Sequence, residues 1–232
     1  MTTIRTSMVL APALTALALA PAFGGEIVGK VKYAGNAPTP APIQITKDQA
    51  VCGKSPQVEG SFLVGSDKGV KNVVVSVTDP KDGKKMAAAA KNPVIDQNGC
   101  KFVPRVQIIP AGQTVDIVND DGILHNIHTW PQVNTPFNKA QPKFKKVMTE
   151  KFDKPDVVKI TCDVHSWMQG WVIVAGHPYY ALSDESGSFK IADVPAGAYT
   201  VEYWHEKLGK QTKQVTVPAT GSVNADFVYP AK

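Results

Sequence analysis

This chain predicts an all-β protein built as two small sandwiches, on three observations. Short runs rich in β-branched residues are separated by turn signals, with 18 Gly and 18 Pro among 232 residues. Neither heptads nor a fixed-period repeat is visible. The composition, 43% hydrophobic and 19% charged, suits one or two ordinary globular domains.

Taken in order, Glu26 to Tyr33 alternates, with Ile27, Gly29, Val31 and Tyr33 on one side, and reads as a strand. Ala37-Pro38-Thr39-Pro40-Ala41-Pro42 is an extended connector. Asn72 to Thr78 is a β-branched strand ended by Asp79-Pro80, and Met86 to Ala90 is expected to form one helical turn. Phe102 to Ile109 and Thr114 to Val118 are strands joined across Pro110-Ala111-Gly112-Gln113. Residues 131–154 carry prolines and lysines without periodicity and are expected to be a long loop. Asp156 to Cys162 is a strand with Val158, Ile160 and Cys162 on one face, and Trp171 to Ala175 resumes as another. Beyond these, Asp184-Glu185-Ser186-Gly187 turns a hairpin, and Ala198 to Trp204, Lys213 to Val217 and Val223 to Tyr229 complete a second β segment.

Residues 1–24 read as a secretory leader: Arg5, an apolar run from Met8 to Ala20, then small residues at Ala20-Pro21-Ala22. The run is too short to span a bilayer, although an uncleaved anchor is the alternative. A periplasmic or otherwise secreted protein with no transmembrane segment is expected. Without the leader, Lys+Arg falls from 25 to 24 against Asp+Glu 20. Much of that excess is Lys139, Lys143, Lys145, Lys146, Lys151 and Lys154, either a steering face for an acidic partner or membrane surface, or a solvated loop. A mild basic excess is no sign of nucleic-acid binding.

Three cysteines in an exported chain leave one unpaired. Cys162 lies in Cys162-Asp163-Val164-His165-Ser166-Trp167-Met168, so Cys52 and Cys100 are the expected disulfide. The odd thiol either binds metal or pairs with another chain.

Chemistry concentrates in that loop, read with His125 of Asp120-Asp121-Gly122-Ile123-Leu124-His125-Asn126. Cys162 ends a strand, His165 follows three residues on, and Met168 three further. His125 must arrive from a distant loop. Thiolate and thioether are soft ligands, imidazole accepts both copper oxidation states, and a Cys-His-His trigon with a weak axial Met moves single electrons. Taken singly, Cys162 or Met168 would be core filler. The ligand set is His125, Cys162, His165 and Met168 around one copper ion, with Asn126 tying the two loops and Trp167 shielding the centre.

Residues 94–176 resemble the cupredoxin family, in particular its plastocyanin-like members. The likeness rests on Phe102-Val103-Pro104, Pro110 to Val115, Val118 to Gly122, His125-Asn126 and the Cys162, His165, Met168 loop. It implies a Greek-key β-sandwich with a blue-copper site. The His165–Met168 spacing is shorter than in plastocyanin-like loops and is similar to the binuclear copper centre of respiratory oxidases. That centre needs two bridging cysteines where this loop has one.

Residues 177–232 resemble the carboxypeptidase regulatory-like (transthyretin-like) family through Leu182 to Ile191 and Val194 to Val201. The opening strands of that family are absent there; Val28 to Val31 and Asn72 to Val77 of the 25–93 segment supply them if the copper domain is an insertion. Tandem domains are the alternative.

The expected function is a non-enzymatic electron carrier between redox partners, such as a cytochrome or a respiratory or dehydrogenase complex. A Cu(I) carrier using the same ligands is one alternative. Another is a metal-dependent enzyme on Tyr179, Tyr180, Tyr203, His177 and His205, although His205, at a strand end beside Trp204 and Glu206, is expected at the surface rather than as a ligand. No phosphate-binding glycine loop, nucleophile elbow or haem motif is present.

Overall fold

A computed structural model describes residues 24–81 and 83–231; the expected leader, but for Gly24, lies outside the described residues. In chain order the elements are β1 (Gly25–Tyr33), α1 (Gln49–Cys52), β2 (Val74–Val77), β3 (Val94–Gln97), β4 (Phe102–Val103), β5 (Val106–Pro110), β6 (Thr114–Asn119), β7 (His125–Trp130), β8 (Asn138–Gln141) and β9 (Val147–Lys151). They continue with β10 (Asp156–Thr161), β11 (Gln169–Ala175), β12 (Tyr180–Leu182), β13 (Ser188–Val194), β14 (Gly197–His205), β15 (Gly209–Val217), β16 (Ser222–Asn224) and β17 (Phe227–Tyr229). The architecture is all-β apart from α1.

Four sheets stack. The first runs β13-β1-β16, with β17 also on β1; the second runs β12-β2-β14-β15. The third is β5-β11-β10-β7-β8 and the fourth β4-β3-β6-β9. Between the first two lies a core holding Ile27, Val31, Val75, Val201, Tyr203 and Tyr229. Strands from both chain ends therefore share one interior. Between the last two lies a core of Cys52 and residues from 95 to 174, including Ile117, Ile127, Val158, Ile160 and Val172. A smaller cluster of Val74, Val106 and Ile173, flanked by Trp171 and Trp204, packs the second sheet on the third. Sandwiching on both sides explains why Val74-Val75-Ser76-Val77 is buried without alternation.

Local chemistry sets the boundaries. Pro104 has no N–H to donate and divides the strand expected over 102–109 into β4 and β5. Gly187 adopts φ +75°, and a Cβ there would sit 2.2 Å from the Val31 carbonyl oxygen, so the β12–β13 hairpin needs glycine.

Three expectations are corrected. Residues 86–90 form no helical turn; the stretch is irregular, and the Gln113 amide, on Ala89 N–H and on the Ala89 and Lys91 carbonyls, takes its backbone groups in place of helical bonds. Residues 131–154 are not one loop, since β8 pairs with β7 and β9 with β6. Both are edge strands, largely exposed, so little apolar alternation marks them. His205, expected at the surface, is buried: Phe62 from the β1–β2 connection lies 5.5 Å away, ring to ring, and its Nδ1 accepts from Lys207 N–H.

Candidate metal centre

Strand parity aims the expected ligands at one point. Along β10, Val158 and Ile160 face the core, and Cys162 continues that face one residue past the strand end. Along β7, His125, Ile127 and Thr129 are buried while His128 and Trp130 face out. β10 pairs antiparallel with both β7 and β11, so the start of β7, the end of β10 and the start of β11 meet at one end of the sandwich. Gly122, at φ +67°, turns the chain between Asn119 and His125.

His125, Cys162 and His165 converge, all buried. Cys162 Sγ lies 3.9 Å from His125 Nδ1 and 3.8 Å from His165 Nδ1, and the two Nδ1 atoms are 3.0 Å apart. A point equidistant from the three atoms lies about 2.1 Å from each, close to the bond lengths of first-row metals to imidazole and thiolate. The donor set and its spacing fit one ion. Met168 is buried beside them: its carbonyl accepts from Cys162 N–H at 3.2 Å, and its N–H donates to the His165 carbonyl at 2.9 Å. That tight turn brings Cys162, His165 and Met168 to one place.

The outer nitrogens are also fixed. His125 Nε2 lies 2.8 Å from Asp121 Oδ2, and His165 Nε2 lies 2.8 Å from Asp48 Oδ2. Asp121 in turn accepts from Gly99 N–H at 2.7 Å and Cys100 N–H at 2.8 Å. The Asn126 side-chain oxygen accepts from Asp163 N–H at 2.7 Å and Val164 N–H at 3.3 Å, and lies 3.3 Å from Cys162 Sγ. Asn126 therefore ties the two loops. The Trp167 ring lies 5.2 Å from that of His165 and donates to the Cys100 carbonyl. Cys52 and Cys100 form the expected disulfide.

Burial pulls the His125 pKa down, but hydrogen bonds to Asp121 and Cys162 and their charge outweigh it and hold the group at about 9. Burial pushes the Cys162 thiol up, yet the His125 hydrogen bond and backbone donors of the ligand loops bring it below its ordinary value. His165 is lowered, first by burial and then by the His125 charge, against the pull of Asp48. His125 is therefore the more basic of the two imidazoles.

Sequence reasoning missed Asp48 and Asp121 as partners of the imidazoles. Asp121 precedes His125 by four residues within the stretch already singled out. Asp48 is 117 residues from His165 and carries no local signal. Of the other histidines, His128 turns outward, stacked on Trp130 at 4.1 Å and paired with Asp163 at 3.1 Å. His177 stacks on Tyr180 at 4.6 Å, and the Tyr203 hydroxyl donates to the Ala225 carbonyl inside the first core. The residues of the second-domain metal reading are thus spread through packing.

Fold and site together define an all-β protein with a buried two-histidine, one-cysteine cluster at one end of a sandwich. No protein-family model matches this chain, and no curated protein matches it. Among solved structures it is similar to a methionine-to-alanine mutant of amicyanin in the Cu(I) state (TM-score 0.33, 20% identity, 43% of this chain and 97% of that one). It is also similar to a purple cupredoxin from Nitrosopumilus maritimus (TM-score 0.32, 25% identity, 36% of this chain, 100% of that one). A copper-containing nitrite reductase from Thermus scotoductus matches at TM-score 0.31 and 27% identity over 41% of this chain and 26% of its own.

Proposed function

We propose that this chain is an exported, non-enzymatic cupredoxin-type protein that carries single electrons on one copper ion, which His125, Cys162, His165 and Met168 would hold. The observation that carries the reading is the buried triangle of two Nδ1 atoms and one Sγ with edges of 3.0, 3.8 and 3.9 Å. When bound, copper supplies a one-electron couple between Cu(I) and Cu(II). The chain's own part is to hold three donors in place before and after that change, which keeps reorganisation small. Ligands from two loops, each hydrogen-bonded from behind, suit that role. Closure of all three from solvent favours an electron carrier over a Cu(I) carrier, which needs an exposed, exchangeable site.

The copper sandwich is, on this reading, an insertion within a regulatory-like β domain whose strands come from both chain ends. Pairing of β1 with β13 and of β2 with β12 and β14 supports it. Lys143, Lys145 and Lys146, exposed on the β8–β9 turn beside the 85%-exposed Phe144, steer an acidic redox partner.

The test is visible absorption on adding Cu(II) to purified protein. An intense thiolate-to-copper band that disappears in Cys162→Ser is expected. No band, or one that survives in Cys162→Ser, overturns the assignment. Rapid loss of copper to a chelator with irreversible voltammetry would favour the Cu(I) carrier.

A further inference from the structure

Asp48 is an anomaly until its partner is considered. It occupies the position before α1 where an aspartate ordinarily accepts hydrogen bonds from the first helical N–H groups. Here its side chain makes no capping bond. Its backbone is left-handed, φ 47° and ψ 42°, a conformation uncommon for a residue with a side chain. What that local sacrifice achieves is the 2.8 Å contact from Asp48 Oδ2 to His165 Nε2. A left-handed backbone and a carboxylate turned away from the helix it precedes, toward a buried imidazole, mark a residue placed for that imidazole.

The segment carrying it is built as a wall. Its ends are pinched by Ile43 N–H donating to the Gln57 carbonyl and by the Pro42–Val58 bridge. Ile45 and Val51 pack on the copper-domain core, and Cys52 is buried in it. The Gln57 side-chain amide donates to the Cys52 carbonyl at 2.7 Å and to the Gly99 carbonyl at 2.9 Å. The Cys52–Cys100 disulfide then joins the two sides of the centre. On the Cys52 side, Asp48, which precedes α1, holds His165. On the Cys100 side, the N–H groups of Gly99 and Cys100 hold Asp121, which holds His125. Both outer carboxylates are referenced to one cross-link, and His165 has no exposed surface.

We propose that residues 43–58, which precede the central sandwich in sequence, form the closing wall of the metal centre, with Asp48 the positioning residue that fixes His165 through its outer nitrogen and so controls metal exchange. The inference rests on the copper reading above. By accepting from Nε2–H, Asp48 leaves Nδ1 as the free lone pair that faces Cys162. Because Asp48 covers the outer nitrogen of His165, opening of that contact frees the ring and eases entry or exit of an ion. The sandwich over 94–176 is therefore incomplete as a metal site without a residue from the N-terminal segment.

The experiment compares full-length wild type, Asp48→Ala, Asp48→Asn and the pair Cys52→Ala with Cys100→Ala, each first shown to unfold cooperatively. On metal-free protein, ¹⁵N NMR reads the His165 tautomer. On Cu(I)-loaded protein, transfer to a high-affinity chelator reads the release rate. Asp48→Ala is expected to lose the fixed Nε2–H tautomer of His165 while the His125 ring signals are unchanged, and to release copper roughly 10- to 100-fold faster, the scale on which losing such a partner weakens metal affinity. Asp48→Asn, with the same shape and an acceptor oxygen, is expected to fall between, and it carries the test should the alanine variant not fold. The disulfide-free variant is expected to release faster with His165 still bonded to Asp48. An unchanged His165 spectrum in Asp48→Ala, or release within about twofold of wild type, overturns the proposal. A wild-type protein that takes up no copper overturns the functional reading beneath it, and the metal-free spectrum separates the two failures.

Discussion

Asn126 holds the centre together at the residue scale. One amide oxygen receives the N–H groups of Asp163 and Val164 and lies against the Cys162 sulfur, while its amide nitrogen donates to Asn138 Oδ1 at 2.7 Å. Asn126→Ala leaves two loop N–H groups without that acceptor. Chemical denaturation is expected to show a loss of about 2 kcal/mol, the cost of unsatisfied, partly buried donors. No change in midpoint would show that the loops hold without it. Asp121→Asn keeps the shape but removes the charge facing His125, and copper affinity measured by competition is expected to fall roughly 10- to 100-fold. The convergence of His125, Cys162 and His165 was legible in the chain because strand parity and a three-residue step dictate it. Asp48 was not, because contacts across 117 residues leave no local pattern.

At the scale of elements, what the chain discloses depends on burial. β10, β11 and β14 bury one or both faces, and their apolar pattern predicts them. β8 (Asn-Lys-Ala-Gln) and β9 (Val-Met-Thr-Glu-Lys) are short edge strands in which polar residues outnumber apolar ones, so pairing with β7 and β6 defines them. The connection between β7 and β8 is organised by Asp156 at the start of β10. Its carboxylate accepts from Gln132, Val133 and Asn134 N–H and from the Asn134 side chain. Burial raises its pKa, but those donors outweigh it and hold the carboxyl below its ordinary value. A depressed folded-state pKa contributes stability that is present above the unfolded value and lost as pH falls through the folded one. Asp156→Ala is expected to lower stability at neutral pH by about 2 kcal/mol. In thermal melts the gap from wild type should close as the pH drops below about 3.9, the ordinary aspartate value. A gap constant with pH would assign the loss to packing.

At the scale of the whole molecule, four stacked sheets are joined across the middle by an apolar cluster and one ion pair. Arg105 grips Glu206 through two contacts, 2.6 and 2.9 Å, with side chains 17% and 7% exposed. A near-buried bidentate pair costs most when one member is removed. Arg105→Ala is expected to destabilise by about 3 kcal/mol, whereas Arg105→Met with Glu206→Leu recovers most of the loss. Equal destabilisation in both variants would mean that the pair adds more than mutual neutralisation. The all-β class was legible from turn residues and β-branched runs; the order in which four sheets stack depends on contacts between distant strands. Copper-edge X-ray absorption of protein loaded with one equivalent tests the metal centre most directly. One sulfur at short distance and two imidazole nitrogens are expected, with the sulfur absent from Cys162→Ser. A shell of nitrogen and oxygen alone in the wild type would contradict a copper site built on Cys162.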